Sequence, residues 1–200
     1  FYKRIFRMPT LNDLYYTFIG NKSLDPEYTT QYNIGAGYVR DFKSKFWKQL
    51  DLQVDVYYNE VEDKIVAMPT SNQFRWTMLN LGFVEIRGID FAAQTTVKIQ
   101  DLLINTRLNY TYQKAQDFTD QESMYYGGQI PYIPWHSGSV VVSGNYRTWD
   151  FNYSFIYTGE RYESQANIPE NYAQPWYTHD MSISKKFQIG NVDLKFTAEV

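Results

Sequence analysis

The amino-acid sequence predicts an all-β protein, a transmembrane antiparallel β-barrel of which this chain holds about eight strands. Three observations lead to this prediction. Apolar and polar residues alternate in eight separate segments, the connections between segments alternate between short and long, and aromatic residues make up 18% of the chain. Tyr and Trp, with an apolar body and a polar tip, are enriched where a membrane meets water.

The alternation is clearest between residues 50 and 58. One face takes the apolar side chains Leu50, Leu52, Val54, Val56 and Tyr58. The other face takes Asp51, Gln53, Asp55, Tyr57 and Asn59. Because successive side chains of a strand point to opposite faces, this pattern predicts a ribbon with one apolar and one wet face. Seven further segments alternate in the same way, at 28–38, 89–97, 102–113, 139–147, 149–157, 180–187 and 192–200.

The wet face carries polar and charged residues in mid-strand, which favours a water-filled lumen behind a lipid-facing wall. The residues expected to point inward are Asp51, Gln53, Asp55, Gln94, Arg107, Asn109, Gln113, Asn152 and Lys186. The alternative is a soluble β-sandwich with one buried face. Against it, the segments run to about 10 residues, whereas soluble strands average roughly 5–6, and bulky rings gather toward the segment ends.

The connections also indicate an outer-membrane barrel. Short ones are predicted at 41–46, 98–101, 147–149 and 188–191, and long ones at 10–27, 62–80, 115–135 and 159–177. Short turns at one end and long polar loops at the other are typical of such barrels, and the long loops are then extracellular. Residues 1–6 resemble the end of a preceding strand. Since open sheet edges are not tolerated in hydrocarbon, we expect one domain, 1–200, that is a fragment of a larger barrel.

Several classes of protein are disfavoured by what the sequence lacks. It has no apolar run long enough for a transmembrane helix and no cysteine for disulfides or thiolate metal sites. A net charge of -3 gives no basic patch for nucleic acid. No signal peptide is visible at Phe1, which we interpret as truncation. Nucleophile elbows, zinc-protease motifs and phosphate loops are absent, so we expect no enzymatic activity.

Two short boxes carry a family resemblance. The run Phe6-Arg7-Met8-Pro9-Thr10 resembles the Phe-Arg-Ala-Pro-Thr box of TonB-dependent receptors. The segment 20–27 resembles the Gly-Asn-x-x-Leu-x-Pro-Glu box that leads into a strand of the same receptors, and Gly88-Ile89-Asp90 resembles a weaker strand motif. The matching positions are Phe6, Arg7, Pro9, Thr10, Asn21, Leu24, Pro26 and Glu27.

The resemblance implies a 22-stranded barrel filled by a plug domain, in the outer membrane of a Gram-negative bacterium. The chain would be its C-terminal portion, without the plug and the final strand. The implied function is import of a scarce nutrient, a ferric siderophore or cobalamin, with energy from the TonB complex and without a cofactor. The implied partners are outer-membrane lipid, the plug, the TonB complex, the nutrient and, in some receptors, a surface lipoprotein. The inward polar residues would face the plug.

Two features refine this function. Haem receptors of the family carry a histidine between the boxes, whereas none occurs between Phe6 and Glu27, so haem is less expected. The boxes are also similar to those of cobalamin and siderophore receptors of the Bacteroides type. A passive porin-like or structural barrel remains an alternative, as does a soluble β-rich binding module.

Loop residues are the candidates for ligand binding, because flat rings stack on corrins, catecholates and sugars. The candidates are Tyr15, Tyr16, Phe74, Arg75, Trp76, Tyr125, Tyr126, Arg161, Tyr162 and Trp176, with Phe18 and Tyr172 as further loop aromatics. The arginines could steer an anionic cargo. The alternative for each ring is packing within a loop or in the membrane girdle.

Two other groups have competing interpretations. His136 and His179 are predicted at the outer rim, either as ligand contacts or, as we favour, as interfacial hydrogen-bonding groups beside Trp135 and Tyr177. Asp117, Asp120 and Glu122 form an acidic loop group that could hold Ca²⁺, although no glycine stands where an EF-hand needs one. Acidic barrel loops are common, and we predict no metal site.

Overall fold

One antiparallel sheet dominates the computed structural model, which describes residues 1–70, 75–190 and 192–200. The strands are β1 (Tyr2–Arg7), β2 (Glu27–Asp41), β3 (Trp47–Pro69), β4 (Trp76–Ile99), β5 (Leu102–Asp117), β6 (His136–Tyr146), β7 (Trp149–Thr158), β8 (Arg161–Tyr162), β9 (Tyr172–Ala173), β10 (Trp176–Ile189) and β11 (Val192–Glu199). A short helix, α1 (Leu11–Tyr15), follows β1, and a 3₁₀ turn (Pro169–Asn171) precedes β9.

The topology is a meander. The nine-stranded sheet has the order β1-β2-β3-β4-β5-β6-β7-β10-β11, and every neighbouring pair is antiparallel. The small β8–β9 hairpin interrupts the chain order, within a connection at one end of the sheet. The predicted all-β, antiparallel, partial-barrel fold is therefore confirmed, including a strand before the first full segment.

The register extends the two faces of each strand across the whole sheet. Val54 lies opposite Ala36 on β2 and Phe91 on β4, so apolar residues meet apolar residues. Its neighbour Asp55 lies opposite Gly35 and Asp90 on the other face. We call these the outward and the lumen face.

No second layer covers the outward face in the described part of the chain. Val54 is 36% exposed and Phe151 is 41% exposed, although both belong to the apolar side of the sheet. An aliphatic and aromatic surface of this extent would cost a soluble protein considerable free energy. Lipid is the medium that such a face requires. None of the described helices is long and apolar enough to cross a bilayer.

Polar side chains bond to each other across the strands of the lumen face. The Arg107 guanidinium donates to Gln94 Oε1 at 3.3 Å, and the Thr111 hydroxyl donates to Asp90 Oδ1 at 2.7 Å. Further along the sheet, Asn109 donates to Ser139, Asn152 donates to Ser182, and Lys186 lies 3.0 Å from Asp150. The register therefore brings the predicted inward residues onto one surface.

The height of the outward apolar band matches a membrane. On β3 the band covers residues 50–58 and is bounded by Lys48 on one side and Glu60 on the other. A tilted strand needs about 9–11 residues to cross the hydrocarbon core. Residues beyond Glu60 therefore project past the membrane on the long-loop side.

The prediction of a long loop at 62–80 is wrong, because β3 continues to Pro69 and β4 begins at Trp76. The alternation breaks at Asp63, which has a positive φ of 54° inside the strand. Asp tolerates this left-handed conformation better than most residues. Beyond the membrane neither face of the strand contacts lipid. Apolar and polar residues therefore do not alternate in this part of β3.

A small hydrophobic core lies in this projecting region. Its buried members are Val61, Met68, Leu81, Val84, Ala115 and Ile130. They come from the extensions of β3 and β4, the end of β5 and the connection after it. The connection after β5 is thus packed against the extended β3–β4 hairpin, which positions this part of the long-loop end.

Candidate ligand-binding surface at the long-loop end

The first and second boxes are joined by a buried carboxylate. Glu27 is 6% exposed at the start of β2, and its Oε2 atom accepts from Arg7 Nη2 at 3.0 Å. The same oxygen accepts from the backbone N–H of Ile65 at 3.1 Å, while Lys64 Nζ lies 3.4 Å from Oε1. Glu27 therefore ties β1 and β2 to the projecting part of β3.

The segment between the boxes folds as a capped helix followed by a tight turn. Thr10 accepts from the Asp13 N–H at 3.2 Å while Asp13 accepts from the Thr10 N–H at 2.8 Å, which is a capping box for α1. Pro9 stands just before this cap. The two reciprocal bonds satisfy N–H groups that a helix start leaves unpaired, which helps to hold so short a helix in place.

This segment docks on the β3–β4 hairpin through hydrogen bonds to the backbone of Met78. Asn21 Nδ2 donates to the Met78 carbonyl at 3.0 Å, and the Met78 N–H donates to the Ile19 carbonyl at 3.0 Å. Leu24 is buried beside it, and Pro26 leads directly into β2. Phe6 packs on Tyr28, with ring centroids 5.1 Å apart. The boxes thus have structural roles here.

Asn80 completes the contact and was not predicted from the sequence. Its side chain donates to the carbonyls of Asp25 and Asp63, at 3.1 and 2.7 Å, and accepts from the Asp25 N–H at 2.9 Å. Asp25 and Asn80 lie 55 residues apart in sequence. No local pattern marks such a pair, so only the folded chain reveals it.

Substitution of Gly20 tests the importance of this docked turn. A Cβ atom at Gly20 would lie 2.7 Å from Tyr16 N and 2.8 Å from Leu14 O, both backbone atoms. We expect Gly20→Ala to open the turn, at a cost of roughly 1–3 kcal/mol. Faster cleavage of segment 10–27 by an external protease measures this. Gly37→Ala is the control, because its nearest neighbour, Leu52 O, would lie 3.8 Å away. Equal cleavage of the two variants would contradict the expectation.

Four loop aromatics form a connected group, which we call the aromatic group: Trp76, Tyr132, Tyr162 and Tyr172. The Trp76 and Tyr132 rings lie 5.3 Å apart, and the Tyr162 and Tyr172 rings lie 6.0 Å apart. The Tyr132 N–H donates to the Tyr162 carbonyl at 2.8 Å, which links the two pairs. Tyr132 was missed from the sequence, although it lies between two prolines in a long connection.

Arg161 adds a charged donor beside this group. Its Nη1 atom is buried and has no hydrogen-bond partner among the described residues. Desolvation raises the pKa of the Tyr132 phenol, and the nearby Glu163 carboxylate raises it further, while Arg161 opposes both. Tyr132 therefore stays a neutral donor at physiological pH. An unpaired buried guanidinium atom is costly unless a ligand or water satisfies it.

The other predicted ligand residues are more scattered. Tyr126 packs edge-on against Phe118 at 5.2 Å, in the connection that also contains Tyr125. Tyr15 and Tyr16 are 61% and 60% exposed at the end of α1. The remaining candidates are Arg75, whose carbonyl accepts from Thr70; Trp176, which lies opposite Thr158; and Phe74, which is outside the described residues.

The two histidines lie on the outward face, and their geometry favours the interfacial interpretation. His136 Nδ1 is 2.8 Å from the Tyr110 hydroxyl, and His179 Nδ1 is 2.8 Å from the Tyr153 hydroxyl. The His179 ring also lies 5.4 Å from Tyr177, as expected, but His136 packs on Tyr112. Rings with polar tips at this height form the aromatic girdle of a barrel.

The acidic loop group stabilises its own connection. Asp117 is buried and accepts from the Thr119 N–H at 2.9 Å and from Gln165 Nε2 at 2.8 Å. Asp120 accepts from the Glu122 N–H at 2.9 Å. Within residues 1–70, 75–190 and 192–200, no three His, Cys, Asp or Glu side chains are grouped to hold a metal ion.

Comparison with known proteins identifies the family of the chain. A family model described as "TonB dependent receptor-like, beta-barrel" matches residues 1–200. The chain belongs to the TonB-dependent receptors. The resemblance to this family is thereby confirmed.

Relatives and solved structures are similar over parts of their length. The chain is 33% identical over 88 residues to the vitamin B12 transporter BtuB of Vibrio vulnificus, covering 44% of this chain and 13% of that protein. It is 27% identical over 165 residues to the vitamin B12 transporter BtuB of Photobacterium profundum, covering 81% of this chain and 24% of that protein. The chain thus spans at most about a quarter of these relatives.

Two solved structures share the fold. The copper transporter OprC superposes with a TM-score of 0.66 at 14% identity, covering 96% of this chain and 29% of that one. The ferric yersiniabactin uptake receptor FyuA of Yersinia pestis superposes with a TM-score of 0.55 at 14% identity, covering 86% and 28%. At such identities the likeness shows the fold alone and says nothing about the ligand.

Proposed function

We propose that this chain is part of the barrel wall of an outer-membrane receptor that imports a scarce nutrient into a Gram-negative cell, with energy from the TonB complex. One observation carries the proposal: a sheet of the family's architecture has an uncovered apolar face of membrane height, a polar lumen face, and packed connections at one end. The lumen face holds the plug domain, and outer-membrane lipid surrounds the outward face.

The nutrient we propose is cobalamin or a ferric siderophore. Both relatives above are named vitamin B12 transporters, and the two boxes are similar to those of cobalamin and siderophore receptors. The aromatic group offers flat rings for a large, rigid ligand. Arg161 Nη1 is a buried donor without a partner among the described residues, and it suits the ligand's anionic or carbonyl groups. Haem is disfavoured, since no histidine lies between the two boxes.

Growth of a deletion strain on single iron and corrin sources tests this function. Complementation with the full-length receptor is expected to restore growth on cobalamin or on one siderophore, and on no other source. If every source supported growth without the receptor, a passive or structural barrel would replace the import function.

Substitution in the aromatic group tests the ligand surface. We expect Trp76→Ala to weaken nutrient binding on the order of ten-fold, because it removes a large ring and the ring that packs on Tyr132. Binding of the labelled nutrient to whole cells measures this. Met124→Ala is the matched control, since Met124 is 83% exposed in the same connection as Tyr132. Unchanged nutrient binding by the Trp76→Ala variant would mean that the binding site lies outside the aromatic group.

A further inference from the structure

The short turn between β2 and β3 has an unusual composition. Residues 40–48 read Arg-Asp-Phe-Lys-Ser-Lys-Phe-Trp-Lys, with four cations, one carboxylate and three aromatic rings. The segment therefore has a net charge of +3 in a chain whose net charge is -3. We call it the basic turn. It lies at the short-turn end of the sheet, opposite the ligand-binding surface.

Hydrogen bonds fix the shape of the basic turn. The Ser44 hydroxyl accepts from the Phe46 and Trp47 N–H groups at 3.1 and 3.4 Å, and Lys48 Nζ donates to the Ser44 carbonyl at 2.9 Å. The Phe42 N–H donates to the Lys48 carbonyl at 2.8 Å. The side chains are thus presented on a defined turn.

The rings and cations of the basic turn stack on the lipid side. The Arg40 guanidinium lies 5.1 Å from the Phe42 ring centroid, and Phe42 lies 5.8 Å from Trp47. Trp47 Nε1 donates at 2.9 Å to Thr95 Oγ1, and the register puts Thr95 opposite Leu50 on the outward face. Trp47 is 40% exposed and Phe46 51% exposed, so both are free to enter a membrane surface.

The outward charges at this end have one sign. Among the described strand residues that have a register partner they are Arg40, opposite Leu50, and Lys185, opposite Trp149. Lys185 Nζ lies 4.6 Å from the Trp149 ring in a second cation–aromatic contact. The outward face at the opposite end is mixed, since Glu60 lies opposite Glu85 next to Arg87. Lys43 and Lys45 are exposed at the tip of the turn.

We propose that the basic turn binds the phosphate headgroups of anionic phospholipids in the periplasmic leaflet, with Phe46 and Trp47 inserted above the acyl chains. This inference rests on the proposed membrane orientation, and extends beyond nutrient import. Charge complementarity selects the occupant, because lysines beside a membrane attract anionic lipid while aromatic rings favour the headgroup level.

Lipid retention by the purified full-length receptor tests the proposal. Native mass spectrometry after incubation with equal amounts of phosphatidylglycerol and phosphatidylcholine counts the bound molecules of each. The wild-type receptor is expected to prefer phosphatidylglycerol. Lys43→Gln with Lys45→Gln is expected to reduce that preference by roughly five-fold per lysine at low salt. Lys43→Arg with Lys45→Arg keeps the charge and should retain the preference.

A charge-matched variant at the other end is the control. Lys3→Gln with Lys22→Gln also removes two positive charges, but far from the basic turn. This variant should leave the lipid preference unchanged. Heat-modifiable mobility shows that each barrel is folded. An equal loss in both glutamine variants would overturn the proposal, because net charge alone would explain it. Absence of any preference in the wild-type receptor would also overturn it.

Discussion

Val54→Arg is expected to destabilise the membrane-inserted fold by roughly 2–4 kcal/mol, the cost of a cation near the bilayer midplane on a lipid-facing strand. Val54 stands at the centre of the apolar band of β3, between Ala36 and Phe91 on the neighbouring strands. Its cross-strand neighbours offer no polar group to a guanidinium. The midpoint of urea-induced unfolding from lipid vesicles measures the effect.

The adjacent residue supplies the control for Val54→Arg. Gln53 points to the lumen face and donates to Asp55 Oδ2 at 2.7 Å. In Gln53→Arg the new guanidinium is able to bond to the same carboxylate in water, so we expect a change within about 0.5 kcal/mol. If the two variants were equally stable, the assignment of the faces would be wrong.

Glu27→Gln is expected to destabilise the projecting β3–β4 hairpin by about 2 kcal/mol. The substitution removes both ion pairs of a buried carboxylate. Loss of one partner of a buried pair costs roughly 3–5 kcal/mol, but the Arg7 and Lys64 side chains, which are 44% and 23% exposed, regain water. Faster cleavage of residues 60–85 by an external protease on intact cells measures the change.

Glu122→Gln is the matched control for Glu27→Gln. Glu122 is an exposed carboxylate in the connection after β5, and the same change there removes no ion pair among the described residues. Its protease sensitivity should equal that of the wild type. Equal sensitivity of both variants would mean that the two boxes are joined by other contacts than this carboxylate.

The membrane-crossing part of the fold was predictable from the sequence, because lipid on one face and water on the other impose a period of two. Val54 and Asp55 show this: each faces the side that its polarity predicts. The short turns were predictable for the same reason, since the alternation stops at both ends of each turn. Asn191, in the last of them, lies outside the described residues.

The region beyond the membrane was less predictable. Past Asp63 both faces of β3 meet water or protein, so the strand carries no alternation and was expected to be a loop. The contacts that matter there join distant residues, such as Asp25 with Asn80 and Trp76 with Tyr132. Individual aromatic residues in the loops could be named from the sequence as candidates for ligand binding. Only the folded chain shows which of these rings contact each other.

The most direct test of the account is a measurement of what touches each face of β3. The chain has no cysteine, so single cysteines can be placed from position 52 to 57 in the full-length receptor and labelled with a nitroxide. We predict that labels at 52, 54 and 56 are accessible to oxygen dissolved in the bilayer, whereas those at 53, 55 and 57 are much less accessible to it because they face the hydrated lumen and its plug. Uniform accessibility along the strand, or protection of 52, 54 and 56 from oxygen, would contradict the account.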